Sequence, residues 1–430
     1  MGVTCIIEFD GNSHGTFFAG QVMTGKVTLK LDKAKVIKAL SLNIRGFAET
    51  EWSESRGTGK DRSKDYYRGR EDYIASKTYL AGSTQSTQIS IEAGVHVYNF
   101  TCQIPAICPS SFEGFYGRVR YMVTVAMERP WKFDQTYVRC FTVLKMMDLN
   151  MESPLFRLAA HVETQKSYCC WPCSSAPLQL QLSLPQTGFV SGQAIPVNMT
   201  VTNDSHIRIE MLQVSLAMVV TYFAEHFSRR HSRTERFVVT KLMGDHVPNY
   251  CKKQFTYLLR VPATPPTCNN LCKIIQIAYK VEVEAKVKGC HRNQMISIPV
   301  TIGNVPLSEH LYIQQRGMEI QTPQTLDAKA LSDSAAAAFI PPPIDSNMPW
   351  TMDSSIPPPN YEEAVHMRHN PDSVNGIKPT APPNTQSLDE NEFAPLYPIF
   401  NIPSPTAPMA STDNDGFPNA DAVANKGTWL

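Results

Sequence analysis

The chain has 430 residues, with 40 Lys and Arg against 39 Asp and Glu, which is room for two or three domains with sizeable cores. Apolar residues make up 42% of it, but no uninterrupted apolar run approaches the roughly 18 residues of a membrane-spanning helix, and Met1 to Asp10 lack the basic start and apolar run of a secretory signal. Eleven cysteines are an odd number, too sparse for a disulfide scaffold, so the expectation is a cytoplasmic protein in a reducing compartment.

The net charge of +1 conceals a division. Residues 311–430 hold 5 Lys and Arg against 14 Asp and Glu, and the preceding 310 hold 35 against 25. Of the 32 prolines, 18 fall after residue 310. A basic body therefore carries an acidic, proline-rich tail, which is expected to be disordered because it has too little apolar surface to offset the entropy of ordering its backbone.

Along the body the dominant period is two. Apolar and polar residues alternate near 21–31, in Leu40-Ser41-Leu42-Asn43-Ile44-Arg45, near 97–104 and 118–128, again near 194–202, 208–223 and 254–261, through Tyr279-Lys280-Val281-Glu282-Val283-Glu284-Ala285-Lys286-Val287, and near 294–302. Such alternation puts one face of a strand on a core and the other in water. Helical periodicity is weak throughout, so the fold class is all-β, with sandwich architecture. The tract Glu51 to Asp72, rich in Gly, Ser and both signs of charge, reads as a mobile solvated loop. The run Arg229-Arg230-His231-Ser232-Arg233 with Arg236 reads as a basic loop, and Arg229, Arg230 and Arg233 are candidate contacts for a phosphorylated cargo tail or an anionic membrane surface.

The body also repeats once. Phe18-Ala19-Gly20-Gln21 matches Val190-Ser191-Gly192-Gln193 at an offset of 172, Gln103-Ile104-Pro105 matches Arg260-Val261-Pro262 at 157, and Arg120-Tyr121-Met122-Val123-Thr124-Val125 matches Ala278-Tyr279-Lys280-Val281-Glu282-Val283 at 158. Three matches in the same order imply two related β-domains, the first with a longer internal connection. The boundaries fall at 1–150 for the first, 151–176 for the connection, where Pro154, Pro172 and Pro177 interrupt the pattern, 177–307 for the second, and 308–430 for the tail.

Chemistry-bearing motifs are few. There is no GxxxxGK[ST], no G-x-G-x-x-G between a strand and a helix, and no HExxH, so no enzyme activity and no cofactor are expected. Cys170-x-x-Cys173 and Cys268-x-x-x-Cys272 could together offer four thiolates to zinc. They are equally readable as small buried hydrophobes in two places, and no metal site is assigned. Nothing reads as nucleic-acid recognition. In the tail, Pro358-Pro359-Asn360-Tyr361 is the most specific motif: consecutive prolines pre-set a polyproline II backbone, so little entropy is lost on docking into an aromatic-lined groove such as that of a WW domain, and Tyr361 can fill a second pocket. Ala394-Pro395-Leu396-Tyr397 is a variant in which Ala394 replaces the first proline, making Pro395 and Tyr397 a second, weaker candidate.

Several of these segments together resemble the arrestin domain-containing proteins, or α-arrestins: Gly20-Gln21 with Thr24-Gly25-Lys26-Val27, Pro109-Ser110-Ser111-Phe112-Glu113-Gly114, Val119-Arg120-Tyr121, Cys169-Cys170-Trp171-Pro172-Cys173, Val300-Thr301-Ile302-Gly303, and Pro358-Pro359-Asn360-Tyr361 in the tail. The resemblance implies two arrestin-type sandwiches. It also implies a cytosolic trafficking adaptor, recruited to the plasma membrane and endosomes, that brings WW-domain HECT-type ubiquitin ligases to membrane receptors or transporters. In a thioredoxin-binding member of that family a cysteine precedes an Arg-Val pair by nine residues, as Cys251 precedes Arg260-Val261. The alternative it implies is a thiol-dependent regulator that binds thioredoxin through Cys251.

Overall fold

A computed structural model describes residues 2–12, 14–56, 63–83, 88–168, 176–308, 350–351 and 393–400. The first β-sandwich contains eleven strands: β1 (Val3–Phe9), β2 (Thr16–Phe18), β3 (Val22–Leu31), β4 (Lys35–Ile37), β5 (Ala39–Arg56), β6 (Ser63–Gly82), β7 (Ile89–Ile91), β8 (Gly94–Gln103), β9 (Phe112–Glu113), β10 (Gly117–Glu128) and β11 (Gln135–Leu144). One layer is β1-β3-β8 and the other is β6-β5-β10-β11-β2. Along β3, Met23, Val27, Leu29 and Leu31 are buried while their neighbours face water, the period-two pattern that fixes register because a one-residue slip would turn every apolar group outward.

The second sandwich holds β12 (Ala160–Lys166), β13 (Leu178–Leu184), β14 (Gly188–Val190), β15 (Ala194–Asn203), β16 (Ile209–His226), β17 (Arg229–Met243), β18 (Cys251–Arg260), β19 (Ile275–Val287) and β20 (Gln294–Gly303). Its layers are β12-β13-β15-β18 and β14-β20-β19-β16, with β17 also paired to β16. β12 lies within the stretch the sequence reading gave to the connection, and it pairs along its whole length with β13.

The expected repeat is present down to individual hydrogen bonds. Gly20 and Gly192 both have φ near +90°, a left-handed conformation that glycine adopts without steric cost. Their amides donate to Ile104 O and Val261 O, which precede Pro105 and Pro262. The side chains that follow cap the same turn: Gln21 Oε1 accepts from Phe18 N at 3.0 Å and Gln193 Oε1 from Val190 N at 3.2 Å. The Tyr121 hydroxyl donates to Pro109 O at 2.7 Å and the Tyr279 hydroxyl to Pro265 O at 2.6 Å. Ser111 Oγ accepts from Val143 N as Thr267 Oγ1 accepts from Ile302 N, both at 2.9 Å. In each copy a short strand then pairs in parallel with the last long one, β2 with β11 and β14 with β20.

Two charged tracts differ from expectation. Glu51–Arg56 and Ser63–Asp72 are not a solvated loop: they are the outer arms of the β5–β6 hairpin, with Glu51 opposite Arg68 and Trp52 opposite Tyr67. Opposite charges face each other across the exposed side of the ribbon, and Arg68 donates twice to Glu51, so its charge lines a strand pair. Arg229–Arg236 is likewise not a loop but the first half of β17, since the chain reverses at Phe227 and Ser228, both with positive φ.

Candidate interaction sites

The β5–β6 ribbon carries the first sandwich onto the second. Arg68 pairs with Glu225, the single rung that continues the sheet from β6 to β16, and Thr50 Oγ1 donates to Phe223 O at 2.6 Å. Gly69 is needed at this crossing, because a Cβ there would come within 2.6 Å of Thr50 Oγ1 and 2.9 Å of Phe223 O. Beside it lies an aromatic cluster drawn from both sandwiches: Trp52 stacks on Tyr67 at 5.3 Å, Tyr116 meets Tyr222 at 5.8 Å, and Tyr67 meets His226 and His231 at 4.8 and 4.9 Å. Edge-to-face and offset ring contacts of this kind add to the burial of area and fix relative orientation.

The candidate arginines are divided by this geometry. Alternation along β17 sends Arg230 and Arg233 to opposite faces. Arg230 lies over the Phe223 ring at 4.0 Å and donates to Lys273 O at 2.8 Å, while Arg233 lies over the Tyr116 ring at 3.9 Å. Arg230 borders a cavity of about 430 Å³ lined also by Arg68, Arg70, Glu71, Glu225 and Lys273. Arg229 stands at the hairpin tip beside Phe227, which is 87% exposed.

Of the tail motifs, Pro358, Pro359 and Tyr361 lie outside the described residues, and the second motif lies within them. Phe393, Pro395, Leu396, Tyr397 and Ile399 are partly buried, Pro398 is buried and Ala394 is exposed. Leu396 N donates to Thr142 Oγ1 at 3.2 Å and the Tyr397 hydroxyl donates to Ser111 O at 2.9 Å. Removal from water pushes the Tyr397 phenol well above its ordinary value, and Tyr279 and Glu113 lie close enough to add to that shift. Both hydrogen-bond partners, Ser111 and Thr142, belong to the first sandwich. Glu113 forms a two-pronged ion pair with Arg120, at 2.8 and 2.9 Å. The seat's own residues, Ser111 and Thr142, were invisible as a site in the sequence because each also serves the sandwich frame. After the segment, β22 (Ile399–Phe400) pairs with β21 (Trp350–Thr351).

Cys268 and Cys272 are both buried. Burial pushes the Cys268 thiol up to about 11 and the Cys272 thiol upward, where Tyr73 partly opposes the rise. These are properties of small core residues and not of thiolates poised for a metal. Cys170 and Cys173 lie outside the described residues, and among the described residues no group of three or more His, Cys, Asp or Glu is arranged to hold a metal ion. Cys251 begins β18 opposite Asn203, partly buried, with its thiol 3.8 Å from Lys252 O.

Comparison with known proteins agrees with this architecture. The family description "Arrestin (or S-antigen), N-terminal domain" matches residues 5–150 and "Arrestin (or S-antigen), C-terminal domain" matches residues 174–307. Arrestin domain-containing protein 17 of Caenorhabditis elegans is 27% identical over 333 residues, covering 75% of this chain and 76% of the relative. Arrestin domain-containing protein 4 of Mus musculus is 26% identical over 312 residues, covering 70% and 72%. Arrestin domain-containing protein 1 of Homo sapiens is 26% identical over 300 residues, covering 69% and 64%.

Proposed function

Because the chain belongs to the arrestin family, among its arrestin domain-containing members, we propose that it is a trafficking adaptor whose tail brings a WW-domain HECT-type ubiquitin ligase to membrane cargo held by the two-sandwich body. The observation that carries the ligase half is Pro358-Pro359-Asn360-Tyr361. A pre-extended proline pair followed by a tyrosine meets the two pockets of a WW groove at small entropic cost. The adaptor acts by proximity: once cargo and ligase are bound to one chain, the ligase meets its substrate at an effective concentration set by the length of chain between the two sites.

The cargo half is supported by the contacts that join the two sandwiches at Thr50, Gly69 and the shared aromatic cluster. Contact with an anionic membrane is supported at the β16–β17 tip, where exposed Phe227 can enter the headgroup layer beside the charge of Arg229. Thioredoxin binding through Cys251 has no comparable support. Affinity capture from cell lysate with the full chain and with Tyr361→Ala tests the proposal. HECT ligases are expected with the first and lost with the second; ligases retained by Tyr361→Ala would contradict it.

A further inference from the structure

The β10–β11 hairpin of the first sandwich ends in a tip that is braced from within and uncovered from without. Trp131 is 100% exposed and Phe133 87%, so their rings add almost nothing to the core. Trp131 also holds φ at +60°, a left-handed conformation that is unfavourable for a bulky side chain and persists only where its surroundings impose it. The ring gains no burial in return. Arg129 imposes the shape by spanning the base of the tip: its Nε donates to Phe133 O at 2.9 Å and its amide to Asp134 Oδ1 at 3.2 Å. Pro130 has no amide hydrogen to satisfy. Much of the polar backbone of the tip is therefore paired before it meets anything else, which lowers the cost of moving it out of water.

Charge at the tip has one prevailing sign. Lys132 stands exposed between the two rings, and Lys38 is brought to the base, where its amide donates to Glu128 O at 2.7 Å. The neighbouring acids are engaged, Glu128 with Lys77 at 3.0 Å and Asp134 with the Arg129 amide. The tip also stands apart from the other surfaces. Along β10, Gly117 pairs with Thr50 beside the second sandwich and Glu128 pairs with Ala39, so the length of the strand puts the tip roughly 35 Å from that junction.

We propose that Trp131 and Phe133 form an interfacial anchor that enters the headgroup layer of an anionic membrane, with Lys132 and Lys38 against the lipid phosphates. A convex tip two side chains wide offers a protein partner little area, but it suits a bilayer. Tryptophan settles where its ring meets lipid and its indole N–H meets headgroups, and a lysine between two rings keeps its ammonium among the phosphates while its stem lies along apolar surface. This contact is separate from that of Phe227 and does not rest on the ligase reading.

The test is cosedimentation of the full chain with phosphatidylcholine vesicles containing about 30 mol% phosphatidylserine. The double variant Trp131→Ala/Phe133→Ala should lower the association constant at least about tenfold and leave the thermal midpoint in place, since neither side chain is buried. Lys132→Gln should lower it about fivefold. In a second measurement, brominated phosphatidylcholine should quench tryptophan fluorescence in the wild type, and Trp131→Phe should remove that quenching while the protein stays bound. A double variant that binds as tightly as the wild type would overturn the proposal, as would quenching undiminished in Trp131→Phe. Phe227→Ala is the comparison: loss of binding there, with none in the double variant, would leave the β16–β17 tip as the membrane contact and refute this one.

Discussion

The two sandwiches share one hydrogen-bonded frame and place their buried charges differently. In the first, Arg120 on β10 pairs with Glu113, and both are largely covered; the matching position in the second is Ala278. In the second, Glu282 on β19 is 1% exposed and accepts from Arg236 and Lys280; the matching position in the first is Thr124. The frame therefore rests on a glycine turn and a handful of side-chain bonds to backbone, which each copy has to keep if the strands are to pair in the same order. The charges are free to serve each copy separately. In the first they tie β9 to β10, and in the second they hold the β17 edge to the sheet.

The largest effect that would test this contrast is at Arg120. Replacing it by alanine takes the guanidinium away from the covered Glu113 carboxylate, a loss of about 3–5 kcal/mol for a buried pair broken on one side. Urea denaturation of Arg120→Ala should show a marked fall in midpoint; a midpoint within error of wild type would mean that the pair is dispensable to the first sandwich. Tyr121→Phe and Tyr279→Phe sharpen the other half of the comparison. Each removes the hydroxyl that satisfies a proline carbonyl in the same place, so each should cost about 1–3 kcal/mol. Clearly unequal losses would show that the two frames are not equivalent in energy.

The smallest effect is expected at Glu282. Burial works to raise its carboxyl, but Arg236 and Lys280 outweigh burial and hold it below the ordinary value of 4.5. Since the folded value is the lower one, the stabilisation is present at neutral pH and is lost as pH falls below about 4.5 through the folded value. Arg236 is 40% exposed, so solvent screening limits the contribution to about 1 kcal/mol. Thermal unfolding of Glu282→Gln at pH 7 and pH 4 should show a deficit that shrinks in acid. A deficit that grows in acid would reverse the assignment.

The parts of the fold legible in the sequence were those carried by local patterns. Alternation marked β3, β5, β8, β10, β15, β16, β18, β19 and β20, and the Gly-Gln turns with their downstream prolines exposed the duplication, because a left-handed turn and a strand end have short-range signatures. The two charged tracts misled because charge density looks the same on a solvated loop and on the outer arms of a ribbon. Only the partners met in the fold, Arg68 across the β5–β6 pair for Glu51 and Glu282 on β19 for Arg236, distinguish the two. Trp52 and Tyr67 on the ribbon were the residues that could have shown it. The tail seat was illegible for another reason: Leu396 and Tyr397 meet Thr142 and Ser111 across more than 250 residues, and no local pattern records such a pairing.

A calorimetric titration distinguishes the proposed WW-domain ligand, Pro358-Pro359-Asn360-Tyr361, from its variant at Tyr397. A single WW domain from a HECT-type ligase is titrated into the full wild-type chain, Tyr361→Ala and Tyr397→Ala. One binding site is predicted for the wild type, unchanged by Tyr397→Ala and abolished by Tyr361→Ala. Undiminished binding to Tyr361→Ala would contradict the claim.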